Sequence, residues 1–415
     1  MRPLAPTPAQ RNWQGLELGI FCHFGINTFH GVEWSDGTLP ARSFNPTEFD
    51  AAQWVGSAVA AGARYFVLTA KHHDGFCLWP TETTDYSVAS SPWRDGRGDV
   101  VAEVARACAQ ASMPLGLYLS PWDRNAPCYD DPPAYDEFYL RQLTELCTWY
   151  GPLVELWFDG AGSQGRQYDW PAINAVIAEH QPQAMVFNMG EATIRWVGNE
   201  DGLAHDPVHY VVEETDFSNY TEQTTSLDRA RYLPPECDVS LRRGWFWSAA
   251  DEPKSLQHLL AIYYSSVGMG ANLLLNVPPD NRGLIGADDQ ARLQQWRAEL
   301  DRRFATPSAA ELTSDGATWV ADFGRDVTLD HLELAEDYSR GQWIGAHQVH
   351  SADQLLASGQ TVGHRRIHTF APVSTDRLHI TLDDEDAVLA AVRGYATGGA
   401  APGTVGYLAS TEQPQ

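Results

Sequence analysis

The chain has 415 residues and a formal net charge of −26 at neutral pH. That length exceeds one ordinary small domain and suits a barrel of about 250 to 400 residues with an appended module. The strong negative charge would repel a phosphate backbone and an anionic bilayer surface, so nucleic acid and membranes are disfavoured as partners and neutral substrates stay open.

The cysteines and the N-terminal segment bear on the cellular compartment. Six cysteines are scattered singly, without the close spacing that binds zinc or cross-links small secreted domains, so we expect free thiols. The N-terminus lacks the continuous apolar core of a signal peptide, and no run of about 18 apolar residues occurs. These features predict a cytoplasmic protein that does not enter a membrane.

Short apolar runs of β type alternate with amphipathic segments through residues 1–305, as in βα units with a parallel sheet. The predicted strands are 18–24, 65–70, 115–120, 154–158, 184–188, 210–212, 237–241 and 272–277. Apolar residues recur at helical spacing in 50–62, 100–111, 136–149, 170–180 and 256–267. Eight strands predict an α/β fold, a (β/α)8 TIM-like barrel over residues 1–305.

The pattern changes near residue 306, where alternating segments punctuated by glycine and aspartate replace the helical spacing. The predicted strands there are 318–323, 328–335, 344–350 and 378–382. They indicate a C-terminal β-sandwich-like accessory domain over residues 306–415. We expect this domain to pack against the barrel, and we favour that role over carbohydrate binding.

In parallel barrels the catalytic groups project from the C-terminal ends of the strands. Here polar or aromatic residues follow one predicted strand after another: His23, the segment 71–76, Tyr118, 122–123, Asp159, Asn188, Glu200, 245–247 and Asn276. Such a ring of imidazoles, indoles and amides suits a neutral, hydroxyl-rich ligand of monosaccharide size.

Two carboxylates in this aromatic setting are candidates for glycoside hydrolysis. Asp159 ends the apolar strand 153–158, and Glu200 lies in the loop 195–202. The reaction needs one carboxylate at the anomeric carbon and a second to protonate the departing oxygen. Taken singly, a strand-end Asp before Gly is more often a turn former, and a loop Glu is more often solvated.

Taken in order, the motifs resemble the α-L-fucosidases of glycoside hydrolase family 29. The segments are HFG at 23–25, EW at 33–34, KHHDGFCLWP at 71–80, LYLSPW at 117–122, LWFDG at 156–160, RWVGNE at 195–200, GWFW at 244–247 and NLLLNVPPD at 272–280. The 71–80 segment and the WFDG strand end are specific, whereas HFG and GWFW alone are not.

The resemblance implies a retaining exo-acting α-L-fucosidase. Asp159 would be the nucleophile and Glu200 the acid/base, with Glu200 preferred over Glu213 and Glu214. The implied fucose contacts are His23, Glu33, Trp34, His72, His73, Tyr118 and Trp247. The RWVGNE context resembles the subgroup that acts on branched α-1,3 and α-1,4 linkages, so the implied partner is a fucosylated oligosaccharide. No cofactor or metal is implied, and no oligomeric state follows.

Two other functions stay open at this point. The cluster His23, His72 and His73, with an aspartate, supplies good zinc ligands for a metal-dependent hydrolase, although its spacing matches no strong metal motif. A non-catalytic sugar-binding protein would keep the pocket without turnover. The presence of both candidate carboxylates counts against that alternative.

Overall fold

The structure is a computed structural model that describes residues 4–218 and 221–399. The strands of the first part are β1 Leu18–Cys22, β2 Tyr65–Lys71, β3 Leu115–Leu119, β4 Leu153–Trp157, β5 Met185–Phe187, β6 Arg195–Trp196, β7 Val211–Ser218, β8 Thr221–Tyr232, β9 Pro235–Ser240 and β10 Asn272–Asn276. The helices are α1 Pro8–Gln14, α2 Ile26–His30, α3 Ala51–Ala60, α4 Val100–Gln110, α5 Pro132–Trp149, α6 Trp170–His180, α7 Leu256–Ser265 and α8 Ala287–Phe304.

Eight of the described strands form one parallel sheet in the order β5-β4-β3-β2-β1-β10-β9-β6. A parallel bridge between Phe187 and Ile194 links β5 to the residue before β6, so the two ends of the sheet meet. Helices lie between consecutive strands through much of this part. The predicted (β/α)8 barrel is confirmed.

The sixth barrel strand was predicted at the wrong place. It is β6, only two residues long, and it pairs in parallel with β9. The segment predicted at 210–212 instead enters β7, which pairs antiparallel with β8 in a separate hairpin. A two-residue strand is too short to produce an apolar run, whereas Val211 and Val212 begin β7 and have the β-branched character of a strand.

Aspartate side chains begin four of the barrel helices. Asp50, Asp99, Asp131 and Asp169 each accept a hydrogen bond from a backbone N–H in the first turn of the helix that follows. This satisfies amide groups that have no partner within the helix. Helix α5 begins at Pro132, before the predicted start at 136, because proline fits the first helical position after the cap.

Alternation along the barrel strands sends every second side chain into the barrel. Phe21, Tyr65, Tyr118, Trp157 and Trp196 belong to one buried cluster there. These large rings fill the barrel beneath its C-terminal rim. The side chains that follow each strand therefore stand on an aromatic floor.

The C-terminal part is an antiparallel sheet. Its strands are β11 Ser308–Ala309, β12 Glu311–Asp315, β13 Thr318–Glu336, β14 His347–Ser351, β15 Gln354–Gly359, β16 Arg366–Leu382 and β17 Leu389–Tyr395. Strand β13 unites two predicted strands, with register shifts after Asp322 and Leu329. Its buried residues join a second core around Leu332, Val349 and Leu378. The expected β-sandwich is confirmed.

The change from helix to strand falls between Phe304, where α8 ends, and Ser308, where β11 begins. A functional division into 1–305 and 306–415 stays a prediction, and residues 400–415 lie outside the described part. Across the described residues, no helix is both long and apolar enough to cross a bilayer. The six cysteines are free thiols, and five of them are buried.

Candidate active site

A cavity of about 600 Å³, including its open mouth, lies at the C-terminal rim of the barrel. The described residues that line it are Phe21, His23, Trp34, His72, His73, Trp157, Asp159, Gly160, Ala161, Phe187, Asn188, Trp196, Glu200, Asp238 and Trp245. Both candidate carboxylates and three candidate histidines therefore face one space. Its mixture of rings and polar groups suits a small polar ligand.

Asp159 lies two residues beyond the end of β4, and its side chain is 26% exposed. The Tyr118 hydroxyl donates to Oδ2 at 3.1 Å, and the Ala161 backbone N–H donates to Oδ1 at 2.8 Å. Burial alone would raise the pKa of Asp159, but a hydrogen bond from His73, its charge and these two donors lower it below the usual value. The carboxyl group is therefore held ionised.

His73 faces Asp159 with its Nε2 atom, 3.5 Å from Oδ2. Its Nδ1 atom lies 2.7 Å from the Ser120 hydroxyl oxygen, and that hydroxyl donates to the Trp122 carbonyl. Because the serine proton is already used, Nδ1 of His73 must be the donor to Ser120.

His23 is fixed by Asn276 on the neighbouring strand β10. Asn276 Oδ1 accepts from the His23 backbone N–H at 3.1 Å and lies 2.9 Å from His23 Nδ1. Its amide group donates to the Ser240 hydroxyl and to the Trp245 carbonyl, which fixes the amide orientation. Burial lowers the pKa of His23 to about 3. The ring is therefore neutral, with Nε2 available as an acceptor.

His72 lies between these two histidines and is buried. Its ring centroid is 5.6 Å from that of His23 and 4.2 Å from that of His73. Burial and the two neighbouring imidazoles lower its pKa well below the usual value. Its Nδ1 atom has no hydrogen-bond partner among the described residues. That nitrogen is buried, while the His72 side chain as a whole lines the cavity as a neutral imidazole.

Glu200 reaches the cavity from the loop after β6 and is half-buried. The Trp245 indole N–H donates to Glu200 Oε2 at 3.3 Å. The rivals Glu213 and Glu214 lie on β7, and both are exposed. The cavity lining thus includes Glu200 and neither rival.

The other predicted contact residues take different positions. Trp34 lines the cavity and packs edge-on against His73, with ring centroids 5.3 Å apart. Tyr118 lies below it as the donor to Asp159. Glu33 accepts from the backbone N–H groups of Trp245 and Phe246, at 2.8 and 3.3 Å, and so supports the loop that carries Trp245. Burial raises the pKa of Glu33 to about 7.

Trp247 was predicted as a fucose contact but is not among the described residues that line the cavity, whereas Trp245 is. Sequence reasoning also gave no role to Trp157, Trp196 or Asp238, which line the cavity from inside their strands or at a strand end. An acidic residue at an inward position of a strand was the available signal for Asp238. Asp238 lies inside β9 and not at its end, where catalytic groups of parallel barrels are expected.

The cluster of His23, His72 and His73 is also a candidate metal site from the sequence. Within residues 4–218 and 221–399, no three His, Cys, Asp or Glu side chains are arranged to hold a metal ion. Nδ1 of His23 and Nδ1 of His73 are bonded to Asn276 and Ser120 instead. The site offers an ionised carboxylate, a second carboxyl group and the imidazole and indole groups that line the cavity.

The amino-acid sequence of this chain is similar to those of known proteins. The sequence model of the alpha-L-fucosidase family matches residues 2–301. The chain is 38% identical to Alpha-L-fucosidase 1 of Arabidopsis thaliana over an alignment of 424 positions. The alignment covers 90% of this chain and 84% of that protein.

Solved structures show the same similarity. A putative alpha-L-fucosidase from Bacteroides ovatus superimposes with a TM-score of 0.89 at 40% identity, covering 95% of this chain and 74% of that one. A GH29 fucosidase from Ruminococcus gnavus, solved in complex with fucose, superimposes with a TM-score of 0.83 at 28% identity, covering 95% and 96% of the two chains.

Proposed function

The chain belongs to the α-L-fucosidase family, glycoside hydrolase family 29, and is a glycoside hydrolase. From that membership we propose that it removes terminal α-L-fucosyl groups from oligosaccharides by a retaining double displacement. Asp159 is the nucleophile and Glu200 the acid/base in this proposal. The preferred linkages are the α-1,3 and α-1,4 linkages of branched oligosaccharides.

The observation that carries the proposal is that Asp159 and Glu200 line one cavity from different strands of the barrel. Asp159 follows β4, and Glu200 follows β6. The hydrogen bonds to Asp159 favour its ionised form, which is the form that attacks. A pair of carboxyl groups in such different surroundings is the usual arrangement for two distinct roles.

In the first step, an Asp159 oxygen forms a bond to the anomeric carbon as the bond to the departing oxygen breaks. Glu200 gives its proton to that oxygen, so the leaving group departs as an alcohol. Tyr118 and the Ala161 N–H hold the carboxylate in place. The product of this step is a fucosyl ester of Asp159 and an ionised Glu200.

In the second step, Glu200 removes a proton from water as the water oxygen attacks the anomeric carbon. The ester bond breaks, Asp159 leaves as a carboxylate and Glu200 regains its proton. The two inversions return the anomeric carbon to its original configuration. Retention requires the two carboxyl groups to be about 5 to 5.5 Å apart.

The ring of imidazole and indole groups supports fucose as the ligand. His23 offers an acceptor at Nε2, His72 lines the cavity, and His73 lies beside the nucleophile. Trp34 and Trp245 add apolar faces that suit the C–H face of a deoxy sugar. We propose these five as fucose contacts and treat Tyr118 and Glu33 as residues that position other groups.

Substitution of each carboxylate tests the two roles. Asp159→Ala is expected to lower turnover of an aryl fucoside by several orders of magnitude, with azide restoring reaction and giving the β-fucosyl azide. Glu200→Ala is expected to lose activity most with poor leaving groups, with azide giving the α-fucosyl azide. NMR of the azide products distinguishes the two anomers.

The controls are Glu213→Gln and Glu214→Gln on β7, where both side chains are exposed. Both are expected to keep wild-type turnover and to give no azide product. An Asp159→Ala enzyme with full activity would remove the mechanism. Loss of activity in a Glu213 or Glu214 variant, with Glu200→Ala unaffected, would move the acid/base role to β7.

The linkage preference is tested by release of fucose from a panel of substrates. The panel holds an aryl fucoside and oligosaccharides with α-1,2, α-1,3, α-1,4 and α-1,6 fucosyl linkages. The proposal rests on the RWVGNE context of Glu200, and it expects kcat/KM to be highest for branched α-1,3 and α-1,4 substrates. Equal or higher kcat/KM for the α-1,2 or α-1,6 substrates would contradict it.

A further inference from the structure

Strand β9 places acidic residues inside the barrel. Glu236 and Asp238 are two positions apart, so both point inward, and their exposed fractions are 0% and 2%. Inward positions of a barrel strand are usually filled by branched apolar residues. An inward carboxyl group that also lines the catalytic cavity, as Asp238 does, therefore requires a reason.

The contacts of Asp238 indicate which of its oxygens can carry a proton. The Trp196 indole N–H donates to Asp238 Oδ1 at 2.7 Å. An indole N–H is a donor only, so Oδ1 must act as an acceptor. A proton on this carboxyl group therefore resides on Oδ2.

The sheet register brings Asp238 towards Glu200. Strands β6 and β9 are parallel neighbours, and Trp196 on β6 is paired with Glu236 on β9. Glu200 follows Trp196 by four residues, and Asp238 follows Glu236 by two. Asp238, inside β9, and Glu200, in the loop that follows β6, therefore line the same cavity from adjacent strands.

Two negative charges in such a site oppose each other. Burial raises the pKa of Asp238 well above its usual value, and the charges of Glu200 and of Glu236 raise it further, against the lowering effect of the Trp196 hydrogen bond. Two carboxyl groups that share a cavity and raise each other's pKa lose their protons in steps that belong to the pair. The pair therefore keeps one proton after the first has been lost.

We propose that Asp238 and Glu200 share one proton, and that Asp238 is the positioning residue that keeps this proton available to Glu200 in the fucoside complex. This inference rests on the proposed acid role of Glu200. In the free enzyme the buried Asp238 holds the proton on Oδ2. When the glycosidic oxygen excludes water from Glu200, the proton moves to Glu200 and the negative charge moves to Asp238.

The charges balance through the first chemical step. Before the step, Asp159 and Asp238 are anionic and Glu200 is protonated. After it, Asp159 is a neutral ester while Asp238 and Glu200 are anionic, and the leaving alcohol has taken the proton. The net charge of the three groups is unchanged. Capture of the sugar by Asp159 therefore compensates for the new charge on Glu200.

Asp238→Asn is the decisive variant, because the amide oxygen can still accept from Trp196 but the side chain cannot take the charge. Without that charge, Glu200 loses its proton at lower pH. The high-pH limb of kcat/KM for an unactivated fucoside is expected to move down by about one pH unit, an additional loss of about tenfold above the limb. On the low-pH side of the limb, kcat/KM is expected to stay within about threefold of wild type.

An activated aryl fucoside, such as the dinitrophenyl fucoside, provides an internal control because its leaving group needs no proton. With this substrate, Asp238→Asn is expected to stay within about threefold of wild type at every pH. Asp238→Glu keeps a titratable carboxyl group. The high-pH limb of kcat/KM for the unactivated fucoside is therefore expected to stay near its wild-type pH in this variant. Asp238→Ser removes the charge with a smaller side chain and is expected to move the limb as Asn does.

Asp201→Asn is the matched control for charge, since it removes the carboxylate next to Glu200 in sequence but outside the cavity lining. The high-pH limb of kcat/KM for Asp201→Asn is expected to move much less than that for Asp238→Asn. The inference is overturned if the Asp238→Asn limb stays at its wild-type pH, if activity falls by one factor at all pH values, or if the activated substrate shows the same displacement. Full activity of Glu200→Gln on unactivated fucosides would instead overturn the acid role of Glu200.

Discussion

The protonation state of His23 is set by one amide. Asn276 Oδ1 accepts from both the backbone and the ring of His23, while its amide group is used by Ser240 and Trp245. With Nδ1 as the donor, the neutral ring presents an acceptor to a sugar hydroxyl. A neutral partner such as asparagine keeps the imidazole uncharged, whereas a carboxylate in the same place would favour the imidazolium ion.

Asn276→Asp tests this arrangement. A carboxylate beside Nδ1 is expected to raise the pKa of His23 from about 3. Below the raised pKa the ring is cationic, and Nε2 becomes a donor that no longer accepts from the sugar. We expect kcat/KM on the acidic side to fall by about tenfold per unit of upward shift, with recovery as the pH rises. The pH profile of kcat/KM on an aryl fucoside measures the effect.

Asn272→Asp supplies the matched control, because Asn272 lies at the other end of β10, where its amide donates to the Trp13 carbonyl. General damage to β10 would appear in both variants. A low-pH loss confined to Asn276→Asp supports the fixed tautomer. A loss that does not vary with pH would refute it.

At the scale of elements, the loop 244–246 links two parts of the site. Glu33 accepts from the backbone N–H groups of Trp245 and Phe246, and the Trp245 indole donates to Glu200. An added Cβ at Gly244 would collide with Glu33 Oε1, so the carboxyl group that supports the loop would have to shift. Glu33 therefore supports the loop from outside the cavity lining.

How much of the site can be predicted depends on the length of each strand. His23 and Asp159 follow five-residue apolar strands, so the sequence alone placed both at the barrel rim. Strand β6 has only two residues, so the sequence pattern does not show where this strand lies. Among the described residues, Trp245 lines the cavity and Trp247 does not. The loop that carries Trp245 is bonded to Glu33, which is distant in the chain, and no local sequence pattern shows that bond.

Asp238 illustrates a different limit. Its inward direction follows from alternation along β9, but its nearness to Glu200 follows from the register between β6 and β9. Register between strands 40 residues apart in the chain is not encoded in either segment alone. Residues inside strands become candidates for chemistry only when the barrel closes.

At the scale of the whole molecule, ion pairs connect the barrel to the C-terminal sheet. Glu17 directly precedes β1, at the opposite end of that strand from His23. It is bonded to His364 Nε2 at 2.7 Å and to Arg365 Nη1 at 3.0 Å. Arg366, the first residue of β16, forms two hydrogen bonds to Asp206 on the barrel side. These contacts bear on how the two parts hold together and leave the catalytic cavity untouched.

Glu17→Gln is expected to weaken this connection in a pH-dependent manner. Burial opposes ionisation of Glu17, but the hydrogen bond from His364 and the Arg365 charge outweigh it and lower the pKa. A depressed pKa in the folded state means that the stabilisation is complete above the unfolded pKa of about 4.3 and is lost as the pH falls through the folded value. The free energy of unfolding at pH 7 should drop by about 1 to 2 kcal/mol, while kcat/KM is unchanged.

Urea unfolding at pH 7, 5.5 and 4 should show the stability deficit of Glu17→Gln shrinking at the lowest pH. Glu179→Gln, at an exposed position of α6, is the control. A deficit of equal size at pH 4, or none at pH 7, would show that the Glu17 charge does not hold the two parts together.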